Sequence, residues 1–128
     1  MKSKSILLII ALFVSLLGCE SRRLESVPAE LIGVWKTSAP KYKYCSFELT
    51  KDYIIFINGD FAEHTDVNFI VKAERVPERR HFLYTIHYEN IHGQKYKFGF
   101  YHYPLKDGVI RFKNQKFIEW RKVRSIKY

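Results

Sequence analysis

The chain has 128 residues, and its 22 Lys and Arg outnumber 13 Asp and Glu to give a net charge of +9. This length is typical of a single domain. Aromatic residues make up 16% of the chain, and no apolar stripe of helical spacing persists after residue 30, so the composition favours pleated strands and excludes a helical bundle.

The first nineteen residues have the order of a secretory signal peptide. Lys2 and Lys4 give a positive start, an apolar run covers 6–17, and Gly18-Cys19 closes it. As a helix, these twelve apolar residues span about 18 Å, which is short against a hydrocarbon core of about 30 Å. We therefore predict a cleaved signal-peptide helix over 1–18 rather than a transmembrane anchor.

The end of this segment, Leu16-Leu17-Gly18-Cys19, resembles the lipobox of bacterial lipoproteins. The resemblance implies cleavage before Cys19, a diacylglycerol thioether on its sulfur, and fatty-acyl chains such as palmitate that hold the mature protein on a membrane. Glu20 stands where an Asp would imply retention in the inner membrane, so the resemblance implies the outer membrane, facing the periplasm. Cys45 is then the only free thiol, and its strand-like surroundings predict a buried one.

The mature chain divides into a polar tether over 19–30 and a domain over 31–128. Alternating apolar and polar residues, interrupted by turn residues such as Asn58-Gly59-Asp60, predict eight strands in the domain. These strands are expected at 31–37, 43–50, 53–57, 67–74, 81–89, 94–103, 109–113 and 116–123.

Strand and loop lengths favour an up-and-down barrel. Eight strands of about eight residues with seven loops of about four need roughly 92 residues. The domain supplies 98 residues, which leaves no room for a long crossover or a sizeable helix. We predict an all-β domain, an eight-stranded antiparallel up-and-down barrel, whose closure removes exposed edges.

Two short motifs at the ends of the domain resemble the lipocalin (calycin) pattern. Gly33-Val34-Trp35 lies on the first strand and Trp120-Arg121 on the last. The resemblance implies that Trp35 plugs the narrow end of the barrel, that Gly33 permits close backbone approach, and that Arg121 or Arg124 lies over the indole. The alternatives are an OB-fold and a barrel like that of lysozyme-inhibitor lipoproteins.

An even number of up-and-down strands places both termini at one end of the barrel. Basic residues cluster at that end: the tether carries Arg22 and Arg23, and one loop carries Arg79 and Arg80. Leaving out Lys2 and Lys4, the net charge is still +7. We expect this basic end to face an anionic membrane surface, where each basic residue contributes up to about 1 kcal/mol.

The barrel interior is expected to be rich in rings. Alternation places one set of residues inside, namely Phe82, Tyr84, Ile86, Tyr88, Tyr96, Phe98, Phe100 and His102. These rings either fill the barrel or line a small cavity for an apolar ligand. The strand at 53–57 is apolar on both faces, which predicts an exposed patch, a cover from the tether or a protein contact.

No motif predicts catalysis, a cofactor or a metal. His64 and His92 are the pair that loops bring towards one rim, but their spacing is not that of metal ligands. Basic and aromatic residues interleave at 95–98, which alternation of core and surface explains better than nucleic-acid binding.

We expect a non-enzymatic envelope lipoprotein that binds a small apolar or amphipathic ligand in its barrel. The alternative is an interaction lipoprotein (an inhibitor, an immunity protein or an assembly accessory) with a filled barrel and a protein partner on the strand at 53–57. An interior cavity below about 300 Å³ would favour the alternative.

Overall fold

The computed structural model describes residues 21–105 and 108–123. Regular structure in these ranges is β-strand apart from two short 3₁₀ helices, Ala29–Leu31 and Pro40–Tyr42. The strands are β1 (Arg22–Leu24), β2 (Gly33–Thr37), β3 (Cys45–Leu49), β4 (Tyr53–Asn58), β5 (His64–Pro77), β6 (Phe82–Glu89), β7 (Lys95–Tyr103), β8 (Val109–Phe112) and β9 (Gln115–Lys122).

Strands β2 to β9 close into one antiparallel barrel. Each pairs with the next strand in the chain, and the barrel closes where β9 meets β2. The predicted eight-stranded up-and-down barrel is therefore confirmed, and the strands lie close to their predicted positions. The predicted signal-peptide helix and Cys19 lie outside the described residues. Among those that are described, no helix has the length and hydropathy to cross a membrane.

The two ends of the barrel carry different loops. What we call the near end holds the start of β2, the end of β9, the loops at 50–52 and 78–81, and the connection between β7 and β8. What we call the far end holds the loops at 38–44, 59–63, 90–94 and 113–114. Because consecutive strands alternate in direction, this division follows directly from the pairing.

The described part of the predicted tether, 21–30, packs on the barrel. β1 pairs with Ala73–Arg75 of β5, along the edge that β4 leaves unpaired. Ser21 Oγ donates a hydrogen bond to Glu74 Oε2 at 3.0 Å, and Val27 is buried in the core cluster. Every buried apolar residue of the described chain lies between Val27 and Trp120, so a chain beginning at residue 20 contains this whole core.

A bulge in β5 decides which of its residues face the core. The register of β5 against β6 shifts between Ile70 and Lys72. In a regular strand Asn68 and Ala73 would face opposite sides, but the bulge buries both of them, whereas Phe69 and Val71 point outwards.

The near-end half of the barrel is filled by side chains. Its centre is formed by residues with no measurable exposure, namely Leu31, Leu49, Ile54, Tyr84, Ile86, Phe100 and Ile110. Of the rings predicted to point inwards, Tyr84, Phe100 and His102 are buried, Phe98 packs against the core, and Tyr96 is exposed at 45%. Among the described residues, the pocket lined by inward-facing side chains lies towards the far end.

Candidate ligand-binding site

The near end is closed by the segment that precedes β2. The 3₁₀ helix Ala29–Leu31 lies across it, and Trp35 Nε1 donates a hydrogen bond to the Leu31 carbonyl at 3.0 Å. Lys122 Nζ donates to the Glu30 carbonyl at 2.7 Å and lies 5.4 Å from the centre of the Trp35 ring. These contacts close the near end of the barrel.

Lys122, rather than Arg121, lies over the Trp35 ring. Lys122 is the direct register partner of Trp35, whereas Arg121 pairs with Lys36 and its guanidinium reaches Glu119 at 3.1 Å on the outer surface. Arg124 lies outside the described residues. Gly33 has φ +144°, and a Cβ there would lie 3.0 Å from Lys122 Cδ, so the predicted close approach is present.

His102 is buried beneath this closure. Its ring meets Trp35 edge-on at 6.1 Å, and its Nδ1 has no hydrogen-bond partner among the described residues. Burial lowers the pKa of His102 below its ordinary value of 6.5; the negative charge of Glu30 opposes this shift, and the positive charge of Lys122 adds to it. The ring is therefore a neutral core residue near pH 7.

The far end holds a cavity of about 500 Å³. Five aromatic rings line it: Tyr42, Phe47, Phe56, Phe112 and Trp120. The volume falls within the range of about 300–1,000 Å³ typical of small-molecule sites. The structure thus combines both predicted interiors, because the barrel is filled near its termini and open at the opposite end.

Phe47 separates the cavity from the packed half. Its side chain is 2% exposed, and its ring stacks on Trp35 with centres 6.3 Å apart. On the cavity side it meets Trp120 at 5.4 Å and Phe112 at 5.6 Å. Ring contacts of this kind contribute about 0.5–1.5 kcal/mol each beyond burial, so the floor of the cavity is preformed.

Tyr42 forms one side of the mouth. It ends the 3₁₀ helix Pro40–Tyr42, its hydroxyl accepts a hydrogen bond from Gln115 Nε2 at 2.6 Å, and its ring lies 5.9 Å from Trp120. This bond joins the loop at 38–44 to the start of β9. The wall is therefore held in place without a ligand.

Polar side chains also line the other side of the mouth, formed by β3, β4 and β5. The lining there includes Cys45, Asn58, Glu63, His64 and Asp66. Cys45 Sγ lies 3.5 Å from Asn58 Oδ1, and the thiol is half-buried rather than fully buried as predicted. An apolar floor with polar groups on one side suits an amphipathic molecule.

Two of the histidines that the sequence analysis considered lie at this end. His64 lines the cavity, and His92 lies on the loop at 90–94. Among the described residues no group of three or more His, Cys, Asp or Glu is placed to hold a metal ion.

The predicted basic residues lie at the near end, away from the cavity. Arg22 and Arg23 are exposed on β1, and Arg79 and Arg80 are exposed on the loop at 78–81. Leu105, on the neighbouring near-end loop, is 71% exposed. A second pocket of about 520 Å³, which includes Arg80 and Leu105, lies along the outside of β8 and β9.

The outward face of β4 and β5 carries an apolar patch. Tyr53 pairs with Phe69 and Ile55 with Val67, and Phe69 and Val71 are about half exposed. Of the three outcomes expected for the strand at 53–57, the structure shows the exposed patch, because β1 pairs further along β5 at Ala73–Arg75.

No family model, curated protein or solved structure matches the chain. The lipobox and lipocalin resemblances therefore stay predictions, and the function has to be argued from the geometry.

The sequence analysis missed the residues that form the cavity. It expected the rings of β6 and β7 to line a ligand site and named Cys45, His64 and Trp120 only in other roles, whereas the wall comes from β3, β4, β5, β8, β9 and the loop residues Tyr42 and Glu63. The alternation of Cys45, Phe47 and Leu49 in β3 indicates which residues face inwards. It does not indicate which level of the barrel is left unfilled.

Proposed function

We propose that this protein is a lipid-anchored envelope lipoprotein that binds a small apolar or amphipathic molecule in the far-end cavity. The observation that supports the proposal is the aromatic cavity of about 500 Å³ above a packed floor. The pocket is open to solvent, and a ligand that covers its apolar wall gains the free energy of burying that surface.

Native mass spectrometry of the 20–128 chain purified from cells tests the binding role. We expect a fraction of the protein to carry one small molecule that organic extraction removes. The stripped protein should then take up one equivalent of a neutral apolar dye such as N-phenyl-1-naphthylamine. A protein that neither co-purifies with a molecule nor binds the dye would contradict the proposal.

Metabolic labelling with a palmitate analogue tests the anchor. The full chain should incorporate the label, and Cys19→Ser should abolish it because the thiol is the acceptor. Cys45→Ser is the matched control, since it removes the other thiol and should leave the label in place. Equal labelling of the Cys19→Ser protein would refute the anchor.

We further propose that the near end faces the membrane and the cavity mouth faces away from it. Exposed apolar residues share this end with basic ones: Ile32, Leu105 and Val123 are all at least 40% exposed, and Leu105 lines a pocket with Arg80. Apolar tips and cations together favour an anionic bilayer surface.

Vesicle sedimentation of the 20–128 chain tests this orientation. Arg79→Glu with Arg80→Glu should weaken binding to anionic vesicles, and Lys41→Glu with Lys43→Glu at the far end is the matched control. Equal binding of the two double variants would contradict the orientation.

A second candidate function, protein interaction, rests on the apolar patch of β4 and β5. Its exposed residues, Tyr53, Val67, Phe69 and Val71, form a surface suited to a protein contact. If this patch is the functional surface, Phe69→Ser should abolish the biological role while leaving dye binding in the cavity intact. If the cavity is the functional site, Phe69→Ser should leave both unchanged.

A further inference from the structure

The cavity mouth has the opposite charge to the protein as a whole. The chain has a net charge of +9, yet the described residues that line the cavity include two carboxylates, Glu63 and Asp66, and neither Lys nor Arg. Lys41, on the outer rim, is a cation in contact with a wall residue, 5.4 Å from the Tyr42 ring. Glu63 lies in the turn between β4 and β5, and Asp66 lies on β5, so both carboxylates are on this side of the mouth.

Asp66 belongs to the inner surface of the barrel. It is the register partner of Phe56, which lines the cavity. The Asp66 charge also reaches the inner ring Tyr88: burial raises the pKa of Tyr88, and Asp66 adds to the increase. A carboxylate whose field acts on a half-buried ring inside the barrel acts on a ligand in the same space.

Glu63 is positioned by the turn that joins β4 to β5. Gly59 has φ +109°, its N–H donates to the Tyr44 carbonyl at 3.1 Å, and a Cβ at Gly59 would lie 1.6 Å from Glu63 Oε2. The missing side chain of Gly59 is therefore the space that the Glu63 carboxylate occupies. The exposed Glu63 carboxylate lies against this turn at the mouth.

The wall beside these carboxylates is aromatic. Phe56 is the register partner of Asp66, and Trp120 and Phe112, which stack with ring centres 4.9 Å apart, face them from the other side of the pocket. Ring faces attract cations within about 6 Å, and the attraction adds to that of nearby carboxylates. An anionic head would instead meet two like charges and the negative faces of the rings.

We infer that the cavity selects cationic amphiphiles, molecules with an apolar body that enters the ring-lined space and an ammonium-type head held at the mouth by Glu63 and Asp66. This inference rests on the proposed function. It adds the charge class of the ligand, which an apolar cavity alone does not define.

Displacement of N-phenyl-1-naphthylamine from the 20–128 chain by three matched probes tests the inference. The probes are decan-1-amine, decan-1-ol and decanoate at pH 7, each below the concentration at which it forms micelles. We expect the amine to bind at least about fivefold more tightly than the alcohol, and decanoate to bind more weakly than both. The preference for the amine should shrink at high salt.

The variant Glu63→Gln with Asp66→Asn should reduce amine binding to the level of the alcohol while leaving alcohol binding unchanged. The matched control, Glu25→Gln with Asp52→Asn, makes the same change of charge away from the cavity and should keep the preference. Failure of all three probes to bind would overturn the proposed function and this inference together. Tight binding of the alcohol without any preference for the amine would overturn this inference alone.

Discussion

Filling the cavity with a side chain of the protein should abolish ligand binding without unfolding the barrel. Cys45 is the residue for this test, because it lies on the inner face of β3 at the mouth and has only a weak 3.5 Å contact with Asn58. In Cys45→Phe the new ring enters empty space, so the usual overpacking cost of about 1–3 kcal/mol does not apply. We expect the melting temperature to change by less than about 4 °C.

The loss of affinity follows from the wall area that the ring takes over. A buried phenyl group covers about 150–250 Å². If about 100 Å² of this is wall that a ligand would otherwise contact, about 25 cal/mol per Å² gives a loss of about 2.5 kcal/mol, or roughly 70-fold in Kd.

Titration of the 20–128 chain with N-phenyl-1-naphthylamine, followed by dye fluorescence, measures this change. Val67→Phe is the matched control, since it adds a ring on the outer face of β5 and should leave the affinity unaltered. An unchanged Kd in a folded Cys45→Phe protein would refute the assignment of the site.

Three further predictions concern the near end. Lys122→Met should lower the free energy of unfolding by about 1–2 kcal/mol, because it removes the hydrogen bond to the Glu30 carbonyl and the cation–π contact with Trp35. Urea denaturation measures this change, and unchanged stability would contradict the closure described for the near end. Gly33→Ala should cost about 1–3 kcal/mol in the same assay, since alanine is strained at φ +144° and its Cβ meets Lys122; a cost near zero would show that the glycine is dispensable. The pKa of His102 is lower in the folded state, so the unfolded state binds the proton first as the pH falls. The contribution of His102 to the free energy of unfolding is therefore fully present above pH 6.5 and declines below it. His102→Leu should flatten this part of the curve of stability against pH, and an equal decline in both proteins would rule out His102 as its source.

The barrel was predictable because its determinants are local. Segments such as 82–89 alternate between apolar and polar residues, and turn residues such as Asn58-Gly59 separate them. The number of residues in the domain matches that needed for eight short strands with short loops, which favours an up-and-down barrel. The bulge in β5 was not predictable, because Val67, Phe69 and Val71 alternate like a core face and the shift after Ile70 depends on pairing with β6. Such a shift is a property of two strands rather than one.

The site was predictable only in part. Trp35 is buried at the near end and Gly33 approaches Lys122 closely, but Lys122 rather than Arg121 lies over the indole, because the register of β9 against β2 places it there. The cavity depends on how rings from four strands fill successive levels of the barrel. Packing of this kind involves contacts between residues far apart in the chain, such as Tyr42 with Gln115, which no local pattern encodes.

The central claim is that the far-end cavity, and not an outer surface, is where this protein binds its ligand. Amide chemical-shift mapping of the ¹⁵N-labelled 20–128 chain during titration with decan-1-ol tests it most directly. The account predicts saturable shifts at one equivalent, concentrated at Cys45–Phe47, at Phe56–Asn58 and around Trp120. Shifts confined to the outer residues of β4 and β5, or to the near-end loops, would contradict it.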